Sequence, residues 1–580
     1  MFSQLSTDVL VVGGGTGGTA AAIQAARRGA KTILVSEYPW LGGMLTSAGV
    51  SAPDGNELAP WQTGLWGQFL RALQSQQVGG LDNAWVSLFT FEPALGAKIL
   101  SAWVKELPNL TWIAGQTPQE VLQQGDRVLG VRFPNYEIRA AFTLDGTELG
   151  DLLALGAIPH RWGWDWQANY LEPSAPAAPN ELTQTYPVQS PTWVFLWQDY
   201  GEELAPPLEP REGYEPQIFS PAWQNYGLEK FLNYGRLPQN RYMINWPIAG
   251  NDYGRGLNRL LGSGRAEFLA EAYRHSYHFA CFLQASLGPH WGLAAGSFPH
   301  SHKSSAFALH PYFRESRRLL GQVTVTEWDL LPQGQVAPLP LDNQTVTSIA
   351  LGNYANDHHY PGFEFPLAPK SRRWGGRWTG TPFTIPLGAI VPQQTLGFLV
   401  CEKNISVSHI ANGSTRLQPL VMNIGQAAGL AAALCLEHQC EPQELPVRCL
   451  QEALLREPQA KAAVIPLYNL PPHHPQWLSQ QLHYLEAPDT YPQSGYCPVA
   501  DVVTPTLAPS YRGILQKLEN QDYRFSAVIG GQSQSCDLLT ERPEIDRQLQ
   551  NLQGGEKLEV RGRYNPSGPW LVAEALSTLA

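Results

Sequence analysis

Nowhere in this chain do two cysteines stand as a Cys-x-x-Cys pair. The seven present (Cys281, Cys401, Cys435, Cys440, Cys449, Cys497 and Cys536) are scattered. That spacing argues against a thioredoxin-like disulfide, a zinc ribbon and a thiolate-held iron–sulfur cluster, and the thiols read as small buried hydrophobes. Charge is scarce as well: 15% of residues are Asp, Glu, Lys or Arg, and 39 cations against 50 anions leave a formal net charge of -11. Neutralising phosphates requires clustered Lys and Arg, so no nucleic-acid partner is expected. No basic segment leads into an apolar stretch at the start of the chain, and no uncharged apolar run is long enough for a bilayer. Neither a signal peptide nor a membrane span is therefore expected, and the cytoplasm is the expected location. Two histidine groups, His300-Ser301-His302 and His358-His359, lack acidic or thiolate neighbours at ligand spacing, so no metal site is expected.

What is present is a folded composition, 43% hydrophobic over 580 residues, which predicts two or three domains. Residues 8–37 carry the most specific pattern. A buried strand, Val9 to Val12, runs into a glycine turn, then an alanine-rich helix, then a second apolar strand, Thr32 to Val35, ending at Glu37. Gly13, Gly15 and Gly18, with Thr16 and Gly17 among them, satisfy Gly-x-Gly-x-x-Gly. The first glycine permits the tight turn, the second lets backbone approach a pyrophosphate, and the third lets helix and strand pack closely. The helix N-terminus offers free N–H groups to the phosphates. Glu37, 19 residues past Gly18, stands where an acid accepts hydrogen bonds from the adenosine ribose. The ordered set predicts a dinucleotide cofactor.

A glycine pair follows in Trp40-Leu41-Gly42-Gly43-Met44, which reads either as a turn or as backbone passing close to the cofactor. Spacing predicts helices over 65–75 and 94–106 and strands at Leu110–Ala114, Val128–Phe133 and Ile138–Leu144. From about 160 to 310 many tryptophans and prolines replace this pattern, as in an inserted segment of mixed structure whose stretch Gly264 to Leu287 is more helical. Apolar strands and a small-residue helix, Gly425 to Leu436, then return, and prolines around 465–510 read as a linker. The tail predicts strands at Phe525–Ile529, Lys557–Arg563 and Trp570–Ala573 with a helix near Glu544–Leu552, a small β-barrel of the oligonucleotide/oligosaccharide-binding kind. The expected fold is therefore α/β: a Rossmann-like domain with a parallel sheet (1–160 and 341–455), an inserted mixed α+β substrate or cap domain (161–340), a linker (456–510) and the small β-rich domain (511–580). A structural or interface role suits that last domain, and a protein partner there is an open expectation.

Five spaced segments resemble one family, the FAD-dependent oxidoreductases of the glutathione-reductase-like superfamily. Beyond the N-terminal fingerprint, an Asp-x-Thr-x-x-Gly-Asp-Leu signature is met by Asp145, Thr147, Gly150, Asp151 and Leu152. An Arg-Glu-Ser-Arg-Arg segment occurs at 314–318, a strand-turn at 385–392 is followed by Ile405 to Arg416, and the last element is Gly425 to Ala433. The resemblance covers about residues 5–455. It implies bound FAD, with Gly42, Gly43, Met44, Asp145, Gly150, Asp151, Arg416, Gly425, Ala427 and Ala428 joining the fingerprint residues as cofactor contacts. Two departures stand out: Cys401-Glu402-Lys403 replaces a small residue, Gly and Arg, and Trp164-Asp165 replaces a more typical Arg-Glu.

The residues themselves agree with flavin. A helix beginning at Gly425 with almost no side-chain bulk lets backbone approach a flat ring, and its N-terminal dipole favours negative charge there; a core helix packed through small residues is the alternative. Asp151 reads equally as a cofactor contact or a helix N-cap. Arg314, Arg317 and Arg318 suit an anionic substrate group or pairing with core acids. Flavin oxidation of a C–H bond needs a base while hydride goes to N5, and His359 and His409 are the candidates, with Arg317 at the substrate. No second Gly-x-Gly-x-x-Gly follows a strand, so no NAD(P)H domain is expected. The expected activity is that of a dehydrogenase or oxidase of a small organic molecule. The alternatives are a monooxygenase fed by an external reductase, with no Trp-x-Trp-x-Ile-Pro segment of a halogenase, and a flavoprotein of mainly assembly role.

Overall fold

The computed structural model describes residues 3–224, 226–299, 304–367, 371–374, 377–498, 508–519, 522–540 and 542–579. The His300-Ser301-His302 group lies outside the described residues. The chain starts as its alternation of apolar runs and breakers dictates: β1 (Ser3–Val12), α1 (Thr16–Arg27), β2 (Thr32–Ser36), α2 (Gly64–Gln76), α3 (Pro93–Lys105), β3 (Leu110–Ala114), β4 (Glu120–Gln124), β5 (Arg127–Arg132), β6 (Tyr136–Asp145) and α4 (Asp151–Leu155). The sheet runs β3-β2-β1-β6-β5-β4, with the strand Phe398–Val400 added alongside β6. β1 pairs in parallel with β2 and β6, β2 with β3, and Phe398–Val400 with β6. The β4–β5 hairpin is antiparallel, so the sheet is mixed rather than purely parallel. Val9 to Val12, Leu34 and Val35 are buried, as expected of central strands covered on both faces.

A long apolar helix, Gln418–His438, packs across α1. A Cβ on Gly425 would fall 2.1 Å from the Gly17 carbonyl oxygen, and one on Gly429 would fall 2.1 Å from that of Ala21. Two backbones therefore touch where side chains would otherwise keep them 8–10 Å apart. This helix also corrects the expectation that no apolar run reaches membrane length: by length and composition it does, but 94% of its most apolar 18-residue window is buried inside the protein.

The inserted region forms its own antiparallel sheet, in the order Trp291–Leu293, Phe195–Asp199, Arg241–Ile244, Arg236–Leu237, with the helix Arg265–Leu287 against it. Trp193, Trp197 and Trp246 are buried in its separate core, so these tryptophans fill space. The stretch read as a linker is not one. Val464, Ile465, Leu467, Trp477 and Leu485 join the principal core, and Trp477–Glu486 is helical. The prolines shape a path over the body, and the apolar residues between them hold it there.

The tail is a closed five-stranded barrel: Ser510–Lys517, Tyr523–Ile529, Gln532–Leu539, Trp570–Thr578 and Lys557–Asn565, closing on the first. The helix Pro543–Asn551 links its third and fourth strands in sequence. The barrel is fastened to the body. Leu539, Trp570 and Val572 lie in the principal core, and Asn565 Nδ2 donates to Asp82 Oδ1 and the Ala84 carbonyl, each at 2.7 Å. Deleting residues 508–580 is therefore expected to lower the melting temperature of the remainder by several degrees, because buried apolar surface becomes exposed. A thermal scan of the truncated chain checks this; an unchanged midpoint would mean the barrel is a free module.

Candidate functional site

The first turn of α1, the glycine pair after β2 and the turn after β6 converge on one cavity of about 570 Å³. Its walls come from Gly13 to Gly15, Val35 to Tyr38, Gln116 to Pro118, Gly146 to Glu148, and the inserted region's Arg265 and His310. The glycines are obligatory here. Gly13 has φ +108°, and a Cβ there would lie 2.1 Å from the Gly146 carbonyl oxygen. Gly18 repeats this against the Gly13 carbonyl oxygen. Gly42 (φ +107°) and Gly43 (φ +51°) make the second turn, which is locked to the helix by Gly42 N donating to the Gly14 carbonyl and Thr16 Oγ1 donating to that of Gly42. The N-cap Gly15 offers no side-chain cap, and the side-chain acceptor on this first turn is Glu402 Oε2, 2.7 Å from Gly17 N.

The Asp145 signature is a self-capping turn. Asp145 Oδ1 accepts from Thr147 N at 2.9 Å and Thr147 Oγ1 at 2.6 Å, and Oδ2 accepts from Leu152 N at 3.2 Å. Thr147 Oγ1 accepts in turn from Asp151 N at 2.7 Å, and Gly150 takes the left-handed N-cap of α4. Burial raises the Asp145 carboxyl to about 7 against these hydrogen bonds. Asp151 faces the cavity between two guanidiniums, Arg317 at 3.0 Å and Arg265 at 3.5 Å.

Of the residues singled out in the sequence, Gly13, Gly15, Glu37, Gly43, Asp151 and Arg317 line the cavity. Thr16, Gly17, Gly18, Gly42, Asp145 and Gly150 hold its walls from behind. Met44 is buried in the core of the inserted region. Gly425, Ala427 and Ala428 require correction: the helix begins at Gln418, so Gly425 sits two turns inside it and the helix end is not theirs. Gly425 is small because α1 crosses there, while Ala427 and Ala428 are fully buried in the principal core.

Arg416, Arg314 and Arg318 point into buried ion pairs. Arg416 donates to Tyr312 Oη at 2.6 Å and to Asp357 Oδ2 at 3.0 Å. Arg314 meets Asp252 at 3.2 Å, and Arg318 meets Glu315 and Asp165. His359 lies between two carboxylates, with Nδ1 2.9 Å from Asp252 Oδ2 and Nε2 2.9 Å from Asp357 Oδ2. Burial alone would raise both acids; Arg314 and His359 outweigh it and hold Asp252 at about 2, and His359 with Arg416 hold Asp357 well below the carboxylate range. Asp357 stands two residues before His359 in the sequence, whereas Asp252 is brought to it from 107 residues away. His409 is buried, with Nδ1 2.8 Å from Glu315 Oε1, Nε2 2.6 Å from Tyr360 Oη, and the Trp164 ring 3.9 Å away between centroids. Neither histidine is among the cavity's lining residues.

The histidine that does line it is His310. Its Nδ1 donates to the Pro311 carbonyl at 2.9 Å, which leaves Nε2 as acceptor, 3.0 Å from Ser47 Oγ. It stacks on Tyr38 with ring centroids 4.7 Å apart, and burial lowers its pKa below 6.5. Sequence reasoning missed His310, Ser47, Tyr38, Arg265 and the Gln116–Pro118 wall. No local pattern marks them, since Ser47 and His310 are 263 residues apart.

A family model described as FAD dependent oxidoreductase matches residues 8–454. The chain belongs to this family. As an FAD-dependent oxidoreductase it is similar to the sarcosine oxidase subunit alpha of Corynebacterium sp. (strain U-96), at 49% identity over 55 residues, 10% of this chain. The match spans 6% of that relative's length. Among solved structures, a geranylgeranyl bacteriochlorophyll reductase-like protein from Thermoplasma acidophilum is 10% identical over 78% of this chain and 84% of its own, with a TM-score of 0.34. L-proline dehydrogenase from P. horikoshii is 19% identical over 25% and 23%, with a TM-score of 0.16.

The cavity fits FAD on its own chemistry. It holds a side-chain-free cradle at Gly13, Gly15 and Gly43, a helix N-terminus for a diphosphate, the Glu37 carboxylate at the end of β2 for ribose hydroxyls, and the Gln116–Pro118 edge beside it. Two buried carboxylate atoms beside the cradle, Glu402 Oε1 and Glu148 Oε1, make no hydrogen bond within the protein.

Proposed function

We propose that this FAD-dependent oxidoreductase oxidises a small organic substrate as a dehydrogenase or oxidase, with His310 and Ser47 handling the substrate proton. FAD, when bound, supplies the acceptor for two electrons and a hydrogen from the substrate carbon, with N5 of its ring as the receiving atom. The chain must then take the remaining proton from an amine or hydroxyl group. The observation that carries this reading is the lone-pair orientation of His310. Its Nδ1–H is committed to the Pro311 carbonyl, so Nε2 is the acceptor, and Ser47 Oγ at 3.0 Å can relay a proton to it. Burial keeps the imidazole neutral at neutral pH, the form a base requires. His359 and His409, with both ring nitrogens engaged by other side chains, serve in this reading to order the charged clusters behind the site.

Arg317 and Arg265 share the single carboxylate of Asp151 at the cavity wall, leaving one positive charge there for an anionic group of cofactor or substrate. Anaerobic mixing of the yellow holoprotein with a panel of amines, alcohols and hydroxy acids tests the proposal. Bleaching of the flavin band by one class without any added reductant is expected. A flavin that bleaches only with an external reductase present would favour the monooxygenase alternative instead.

A further inference from the structure

The departure at Cys401-Glu402-Lys403 falls on the phosphate cradle. Glu402 is fully buried, and its Oε2 accepts from Gly17 N, in the first turn of α1, at 2.7 Å. A Cβ on Gly15 would lie 2.6 Å from that same oxygen, and one on Gly43 would lie 2.6 Å from Glu148 Oε1. Both carboxylates therefore stand at the crossing of the two glycine turns that line the cavity. Lys403 Nζ donates to Glu148 Oε2 and lies 3.7 Å from Glu402 Oε1. The Oε1 atoms of both acids are buried and lack hydrogen bonds.

Charge at this spot is unbalanced. The titratable groups acting on Glu402 are Lys403 from its own loop and Glu148 from the turn after β6; Asp145 at the end of β6 acts on the adjoining Cys401, and His310 from the inserted region acts on Glu148. Lys403 is the one cation among them at neutral pH, and it serves two carboxylates. A diphosphate delivered to the same helix end brings further negative charge, which a second carboxylate on Gly17 N opposes. Burial already pushes the Glu402 carboxyl up to about 7, with Glu148 adding to the push and Lys403 opposing it. Protonation removes the conflict without moving the side chain: Oε2 still accepts from Gly17 N, and Oε1 becomes a donor instead of an orphaned acceptor.

We propose that Glu402, behind the phosphate cradle, takes up a proton when FAD binds in front of it, so that cofactor uptake consumes one proton from solvent. The proposal rests on FAD occupying this cavity, and it concerns affinity rather than turnover.

FAD titrated into the full-length chain stripped of flavin tests it, with flavin fluorescence giving Kd from pH 6 to 9. Kd is expected to rise about tenfold per pH unit above pH 7, the slope of one linked proton. Calorimetry at about pH 8 in phosphate and in Tris, buffers of different ionisation heat, is expected to report uptake of about one proton, since the free carboxyl at about 7 is then mostly ionised. E402Q, which fixes the neutral hydrogen-bonding form, is expected to bind FAD with no pH slope, while H310Q keeps the wild-type slope. A flat wild-type profile with no buffer-dependent heat overturns the proposal, as does an unchanged slope in E402Q or a slope lost in H310Q. Wild-type calorimetry decides the matter even if E402Q fails to fold. Failure of the chain to bind FAD at any pH would instead refute the cofactor assignment.

Discussion

Replacing His310 with glutamine is expected to leave FAD bound and to slow substrate-driven flavin reduction by about 10²–10⁴-fold, the range a positioned general base contributes. Glutamine preserves much of the stacking surface on Tyr38 and an amide donor toward the Pro311 carbonyl, so the cavity wall survives while the basic lone pair at Nε2 is lost. Stopped-flow reduction under anaerobic conditions reads the loss directly. The pH profile supplies the sign. The base must be neutral, and burial lowers the His310 pKa, so the wild-type rate is expected to be level through neutral pH and to fall only below 6.5. Were H310Q to reduce its flavin as fast as the wild type, the proton would travel elsewhere and the proposed mechanism would be lost.

The contrast between His310 and the histidines visible in the sequence shows what local pattern can carry. The β1–α1–β2 unit was legible because its signal is contiguous: an apolar run, obligatory glycines, an alanine-rich helix and an acid at a fixed remove. Strands such as Leu110–Ala114 were legible to the residue for the same reason. The helix Gln418–His438 shows the limit. Gly425 and Gly429 announce that backbone comes close to something, but composition does not say to what, and the partner is α1. In the 456–510 stretch, prolines were visible while the burial of Val464, Ile465 and Trp477 was not, because it depends on surfaces made by distant segments. The cavity wall around His310 and Ser47 is of that kind throughout. Glu402 lies between the cases: its oddity against the family pattern is a sequence fact, and its meaning is the 2.7 Å hydrogen bond to Gly17 N.

His359→Ala is expected to act on stability first. Asp252 is almost fully buried, its side chain 1% exposed, and the His359 ring bridges it to Asp357, whose side chain is 38% exposed. Arg314 and Arg416 remain, one for each acid, but two carboxylates would then face each other across an emptied space. Removing the partner of a buried carboxylate costs at most about 3 kcal/mol here, because Asp252 has already given up its water while Asp357 keeps part of its own. Both acids are held below their unfolded value near 4, roughly, so their pairing stabilises the fold fully above that pH and loses its effect as pH falls through the folded values. The stability gap between wild type and His359→Ala is therefore expected to be full at pH 5 and to close as the solution is taken below pH 4, as followed by denaturant unfolding at each pH. A variant that unfolds together with the wild type at pH 5 yet reduces its flavin 10²-fold more slowly would transfer the base role from His310 to His359, since loss of a general base lowers rate by about that much without touching the folded state.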